Sequence, residues 1–321
     1  MNKVNFLGED NFIQIMKTEN HDFRKAHVKQ GKFKSFDNTT LNYYFALPEN
    51  ATRIVVLVHG FCEFFGKYHE YTWYLYQAGF GFFFMEQRGH GYSEGKAKDP
   101  DVVYIDDYNT YVEDFHTFMD KVVMPATSEK KRILIAHSMG GAVGTLFLEK
   151  YPGYFDRAIL SSPMLKMKSV PSKFAIIAIS IYAFLFRKYK SMAPGQKHFD
   201  GIPVFETSSA ASRARYDYMF EKRLKDEHYH TYGASIGWAL ASYKVYNRIF
   251  KNTSNLSLPI TVFTAGQDHL IDSDGYRKFA KKVPHAKIIT FESSRHEIFN
   301  ATEETRNEYY RQVLGIIDSS S

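Results

Sequence analysis

Arg132-Ile133-Leu134-Ile135-Ala136-His137-Ser138-Met139-Gly140-Gly141 carries an apolar run of strand length into a serine, two glycines and an amphipathic stretch that continues to Lys150. A strand that turns this sharply into a helix leaves no room for large neighbours, and the strained turn lifts the serine hydroxyl above the sheet. Ala136 stands where glycine is usual at such an elbow, and a methyl group still fits there. A serine ahead of a helix also serves as an ordinary N-cap. Strand, Ser138, paired glycines and helix in that order point instead to a nucleophile.

Outward from this turn the chain alternates. Apolar runs at 53–59, 80–85, 132–137, 157–161, 260–265 and 287–291 read as buried strands, and amphipathic stretches at 68–77, 107–124, 139–150, 275–283 and 304–317 read as helices. The alternation predicts an α/β protein, with a mostly parallel sheet covered on both faces. Runs at 32–36 and 41–46 form a hairpin around Asp37, Asn38 and Thr39. Between 164 and 258 the alternation fails and helical patterns dominate, so the expected organisation is a core of residues 1–163 and 259–321 with a helical cap, 164–258, inserted in it. Ligand sites of open α/β sheets lie at the carboxyl ends of the strands, where such a cap would sit.

A serine nucleophile needs a base, and the base needs an acid to hold its tautomer and stabilise the imidazolium. On this sheet order both follow the serine, each in a loop after a late strand. Asp268 follows 260–265, and His296 follows 287–291. Asp272 and Asp274 lie further along and suit the cap of the helix near Gly275. His269 and His285 do not sit just after the last strand. The oxyanion of the tetrahedral intermediate needs two N–H donors: Met139, directly after the serine, and Phe61 in the loop His59-Gly60-Phe61-Cys62-Glu63. His59 and Glu63 read as braces of that loop, and Cys62 as a packing residue.

A second glycine-rich stretch, Glu86-Gln87-Arg88-Gly89-His90-Gly91-Tyr92-Ser93, lacks both a P-loop lysine and dinucleotide spacing, and reads as a tight structural loop. No histidine or cysteine cluster has metal-ligand spacing, so neither metal nor cofactor is expected. The formal net charge of +6 and pI near 9.0 come from Lys and Arg mixed with Asp and Glu, which favours a solvated surface over a nucleic-acid binder. The single cysteine suits a reducing compartment, with the cytoplasm as default. The first 31 residues lack the apolar run of a secretory signal. The Ser-rich tail 319–321 is expected to fray.

His59-Gly60-Phe61-Cys62-Glu63, Arg88-Gly89-His90-Gly91-Tyr92-Ser93, Ala136-His137-Ser138-Met139-Gly140-Gly141 and His296-Glu297 together resemble the monoacylglycerol lipase and lysophospholipase branch of the α/β-hydrolases. Asp107-Tyr108, Val112-Glu113-Asp114 and Thr145-Leu146-Phe147-Leu148 look most like its bacterial lysophospholipase L2 group. The resemblance implies an α/β-hydrolase fold, a triad of Ser138, Asp268 and His296, an oxyanion hole at Phe61 and Met139, and a single-chain lipid substrate. Glu86 departs from the aspartate of many relatives without touching the triad. A general carboxylesterase, a peptidase, an acyltransferase and a non-catalytic lipid binder are the rival readings.

The cap bears on the substrate. Residues 157–199 hold no Asp or Glu, and Lys166, Lys168, Lys173, Arg187, Lys188, Lys190 and Lys197 flank the apolar run 174–186. That run would span about 20 Å as a helix, short of the ~30 Å hydrocarbon core of a bilayer. It suits either peripheral contact with an anionic membrane surface or a cap helix buried against the core with solvated ends. The basic flanks favour a lysophospholipid over a monoacylglycerol.

Overall fold

The computed structural model describes residues 1–319, so the expected fraying of the tail lies outside the described residues at 320 and 321. Eight strands make the main sheet: β1 (Lys29–Lys34), β2 (Thr40–Ala46), β3 (Arg53–Val58), β4 (Gly81–Met85), β5 (Lys131–His137), β6 (Arg157–Ser161), β7 (Ile260–Ala265) and β8 (Lys287–Phe291). Their spatial order is β1-β2-β4-β3-β5-β6-β7-β8. The β1–β2 and β2–β4 pairs are antiparallel, and every later pair is parallel. Parallel strands buried on both faces must be apolar almost throughout; Ile54 to Val58 and all of β4 are buried accordingly.

The helices are α1 (Phe12–Lys17), α2 (Glu19–His27), α3 (His69–Gln77), α4 (Tyr108–Phe118), α5 (Met139–Lys150), α6 (Lys173–Leu185), α7 (Arg213–Lys225), α8 (Ile236–Arg248), α9 (Ser273–Lys282) and α10 (Glu303–Asp318). One face of the sheet packs against α4, α5, α8 and α9 through residues such as Phe115, Phe147, Val245 and Phe279. The other packs against α1, α2, α3 and α10 through Phe12, Phe23, Tyr74 and Tyr310. The expected alternation therefore holds. β1 begins three residues earlier than the sequence pattern places it: this edge strand buries only Phe33, and one buried side chain sets no period. α4 runs on through a π-helical turn, Met119–Val123, to Ala126.

Residues 164–258 add no strand to the main sheet among the described residues. They hold α6, α7, α8 and the pair Gly233–Ala234, which adds to Val102–Val103. α8 contributes Trp238, Ala241 and Val245 to the core. α7 is bolted to the opposite face. Arg215, almost fully buried, donates to both Glu70 oxygens at 2.6 and 3.0 Å and to Glu9 at 3.0 Å, and the Ser212 hydroxyl donates to Glu9 at 2.8 Å. α6 is different: only Ala183 is buried, while Phe174 is 85% and Phe184 72% exposed. One face, Ile176, Ile179 and Ala183, packs against Ile236 and Leu240 of α8, while Phe174 and Phe184 on the rest of the helix stay exposed. No helix among the described residues is long and apolar enough to cross a membrane.

Candidate active site

Ser138 caps α5 directly after β5, with φ +52° and ψ −119°. A residue with a β-carbon occupies this region only where its surroundings over-determine it. Here they do: the Ser138 N–H donates to the Ser161 carbonyl at 3.1 Å, and its carbonyl accepts from Met164 at 2.8 Å and Gly141 at 2.9 Å. The two glycines are required by contact. A β-carbon on Gly140 would lie 2.2 Å from the Val58 carbonyl oxygen and 2.5 Å from that of His59, and one on Gly141 would lie 2.5 Å from Pro163 Cβ. α5 thus starts directly against the end of β3, which brings the serine next to the loop 59–63.

The loops after β7 and β8 deliver the other two groups. His296 Nε2 lies 2.8 Å from Ser138 Oγ, and His296 Nδ1 lies 2.7 Å from Asp268 Oδ2. An ionised carboxylate only accepts hydrogen bonds, so Nδ1 carries the proton and Nε2 is free to accept from the serine. Burial pushes the Asp268 carboxyl up, but the His296 ring and the Leu270 and Ile271 N–H groups on Oδ1 outweigh it and hold it below the ordinary carboxylate value. Both His296 and Asp268 are buried, while Ser138 is partly exposed. Asp272 caps α9 through the Asp274 N–H, as its position suggested, and Asp274 pairs with Lys166. Among the described residues the His296 ring hydrogen-bonds to Asp268 and Ser138, and neither Asp272 or Asp274 nor His269 or His285 takes those places.

Loop 59–63 is braced as its residue types imply. His59 Nε2 accepts from the Gln87 N–H at 2.9 Å, so its other ring nitrogen carries hydrogen and donates to the Gly60 carbonyl at 2.8 Å. Burial pulls this imidazole down to about 4, which keeps it neutral and preserves that tautomer at neutral pH. In a trans peptide the N–H points opposite to the carbonyl. Fixing the Gly60 carbonyl therefore fixes the direction of the Phe61 N–H. Glu63 holds the same loop by accepting from the Gly60 N–H. The Phe61 ring packs 4.2 Å from Trp238 of α8. The stretch 86–93 is a structural loop: Gly89 and Gly91 have positive φ, and Arg88 is forked onto Asp114 at 2.7 and 2.8 Å.

The structure also assembles groups that spacing did not single out. Lys67, beneath the site, donates to Glu63 at 2.7 Å and to Glu297, the neighbour of His296, at 2.6 Å. Tyr68 donates to Glu63 at 2.6 Å, and His137 Nε2 lies 3.5 Å from Glu63. The His137 ring centroid is 5.0 Å from that of His296. Glu63 was expected as a loop brace, and the i, i+4 spacing of Glu63 and Lys67 is the local signal that could have joined Lys67 to it. Among the described residues, no group of three or more His, Cys, Asp or Glu is disposed to hold a metal ion.

Strand order, elbow and late-loop acid and histidine define an α/β-hydrolase. The chain belongs to the Hydrolase_4 family, described as serine aminopeptidase, S33, whose model matches residues 49–303. It is 24% identical to lysophospholipase L2 of Escherichia coli over 286 residues, covering 87% of this chain and 84% of that protein. It is 27% identical to a monoacylglycerol lipase of Mycolicibacterium smegmatis over 260 residues, covering 78% and 83%. Among solved structures, a thermostable carboxyl esterase from Bacillus coagulans in complex with glycerol superposes with a TM-score of 0.74 at 18% identity, covering 91% of this chain and 98% of that one.

Proposed function

We propose that the chain hydrolyses the carboxylic ester of single-chain acyl lipids, lysophospholipid or monoacylglycerol, through an acyl-enzyme. The observation that carries the reading is the unbroken hydrogen-bond chain from Ser138 through His296 to Asp268 on a strained elbow. Ser138 attacks the ester carbonyl while His296 takes its proton, and Asp268 stabilises the imidazolium. The Phe61 and Met139 N–H groups receive the oxyanion. The imidazolium then protonates the departing alcohol, His296 activates water against the acyl-enzyme, and a fatty acid leaves.

Residues 164–258 act in this reading as a cap, with core segments 1–163 and 259–321 beneath it. The names of the two relatives support a lipid substrate. The exposed apolar face of α6, bordered by Lys173, Arg187 and Lys188, supports peripheral docking on an anionic membrane from the cytoplasmic side. The family description gives a second reading, an aminopeptidase. That activity needs a carboxylate to hold the substrate's ammonium group, and the names of the two relatives, a lysophospholipase and a monoacylglycerol lipase, favour the lipid.

The test is fatty-acid release from matched long-chain lysophosphatidylcholine and monoacylglycerol, alongside aminoacyl amides, with Ser138→Ala as control. Release from either lipid, abolished by several orders of magnitude in folded Ser138→Ala, is the expected result. Preference for the amides, or hydrolysis retained by the variant, sinks the reading.

A further inference from the structure

We propose that Arg223, on α7, is a positioning residue that clamps the oxyanion loop 59–63 through the Cys62 carbonyl. The proposal rests on reading the Phe61 N–H as an oxyanion donor. Arg223 Nη2 donates to the Cys62 carbonyl at 2.6 Å, and Cys62 stands at φ +56°, a left-handed conformation disfavoured for a residue with a β-carbon. Such a conformation lasts only where both adjoining peptides are held. The Cys62 N–H is held by His90 Nε2, at 3.1 Å. Its carbonyl is held by Arg223.

The surroundings of Arg223 leave it little other purpose. It is nine-tenths buried, yet none of the ion pairs among the described residues includes it, and its Nε has no hydrogen-bond partner. The guanidinium lies 5.5 Å from the centroid of the Phe64 ring and 5.9 Å from that of Phe199. A buried cation without a carboxylate is expensive, and a residue serving only helix propensity or solubility on α7 would face water.

The clamp has a fixed anchor. α7 is held by Arg215 on Glu70 and Glu9, by Ser212 on Glu9, and by Tyr218 against His69 at 2.9 Å. Glu9 precedes the family-matched residues 49–303. The N-terminal segment thus sets α7, α7 sets Arg223, and Arg223 sets the far end of a loop whose near end His59 and Glu63 already hold. With the carbonyl released, Cys62 relaxes toward negative φ and swings the Phe61–Cys62 peptide, so that Phe61, whose N–H is then held from the Gly60 side alone, shifts away from the oxyanion.

Arg223→Met keeps the apolar stem and removes the donor, whereas Arg223→Lys keeps one. On a soluble short-chain nitrophenyl ester and on long-chain monoacylglycerol alike, Arg223→Met should lower kcat by about 10- to 100-fold with KM little changed, and Arg223→Lys should recover most of it. Hydrogen exchange across residues 59–65 should quicken in Arg223→Met. Unchanged kcat with unchanged exchange in a folded variant overturns the clamp. So does a loss confined to KM for lysophospholipids, which would make Arg223 a headgroup contact. Should Arg223→Met fail to fold, Glu9→Gln, which loosens α7, carries the same two readouts. If the wild-type protein cleaves no ester, the proposed function fails, and exchange alone decides the clamp.

Discussion

Replacing Lys67 by Met leaves two carboxylates facing each other in a nearly dry site. The Lys67 side chain is 8% exposed, and those of Glu63 and Glu297 are 5% and 11%. Burial alone would pull the ammonium down, but Glu297 and Glu63 reverse this and hold it above the ordinary lysine value. Burial likewise pushes Glu63 up, and Lys67 with His137 draws it well below the ordinary carboxylate value. Removing one member of a buried ion cluster destabilises by roughly 3–5 kcal/mol. With an unfolding entropy of about 2.1 cal/mol/K per residue over the chain, that lowers Tm by about 4–7 °C. The sign with pH follows from Glu63. A depressed carboxyl contributes stability that is present above its unfolded pKa and lost as pH falls through its folded value. The gap between wild type and Lys67→Met is therefore widest near neutral pH and narrows below about pH 4. Calorimetry across this range measures it, with Lys67→Arg as the charge-conserving control. Equal Tm at pH 7, or a gap that widens on acidification, refutes the reasoning. Because Glu297 adjoins His296, kcat should fall with Tm, which the same samples report on a soluble ester.

Gly140→Ala places a methyl 2.2 Å from a backbone carbonyl oxygen that has no freedom to rotate away. The end of β3 must separate from the elbow by about 1 Å, at a cost of about 1–3 kcal/mol, and the misplaced oxyanion donors should lower kcat about 100-fold. Wild-type kcat in that variant would show that the elbow does not set the site. For the proposed docking face, replacing Phe174 and Phe184 by Ser removes two exposed rings. At about 1.5 kcal/mol or more per buried ring, partitioning onto phosphatidylglycerol vesicles should fall about 100-fold while turnover of a soluble ester holds. Unchanged cosedimentation with the vesicles would exclude α6 as the contact.

What could be read in advance divides by physical cause. Ser138, Gly140 and Gly141 were legible because an elbow tolerates few side chains, and a steric demand leaves its mark within a few residues. Asp268 and His296 were legible because each lies just after a strand whose own apolar run was clear, so the sheet order carried them to the serine. Lys67 was not, because Glu63 four residues earlier makes it look like an exposed helical pair, and its second carboxylate, Glu297, lies 230 positions away. The same holds for Glu9 with Arg215 and for Arg223 with Cys62, whose polar partners lie 206 and 161 positions apart. α6 shows a different limit. Its apolar residues surround the helix with little periodicity, a pattern shared by helices buried in a core and helices laid on lipid, so the sequence could not tell that Ile176, Ile179 and Ala183 pack on α8 while Phe174 and Phe184 stay exposed. Local sterics therefore mark where the proposed chemistry resides, while the groups that hold it still are recruited from across the chain.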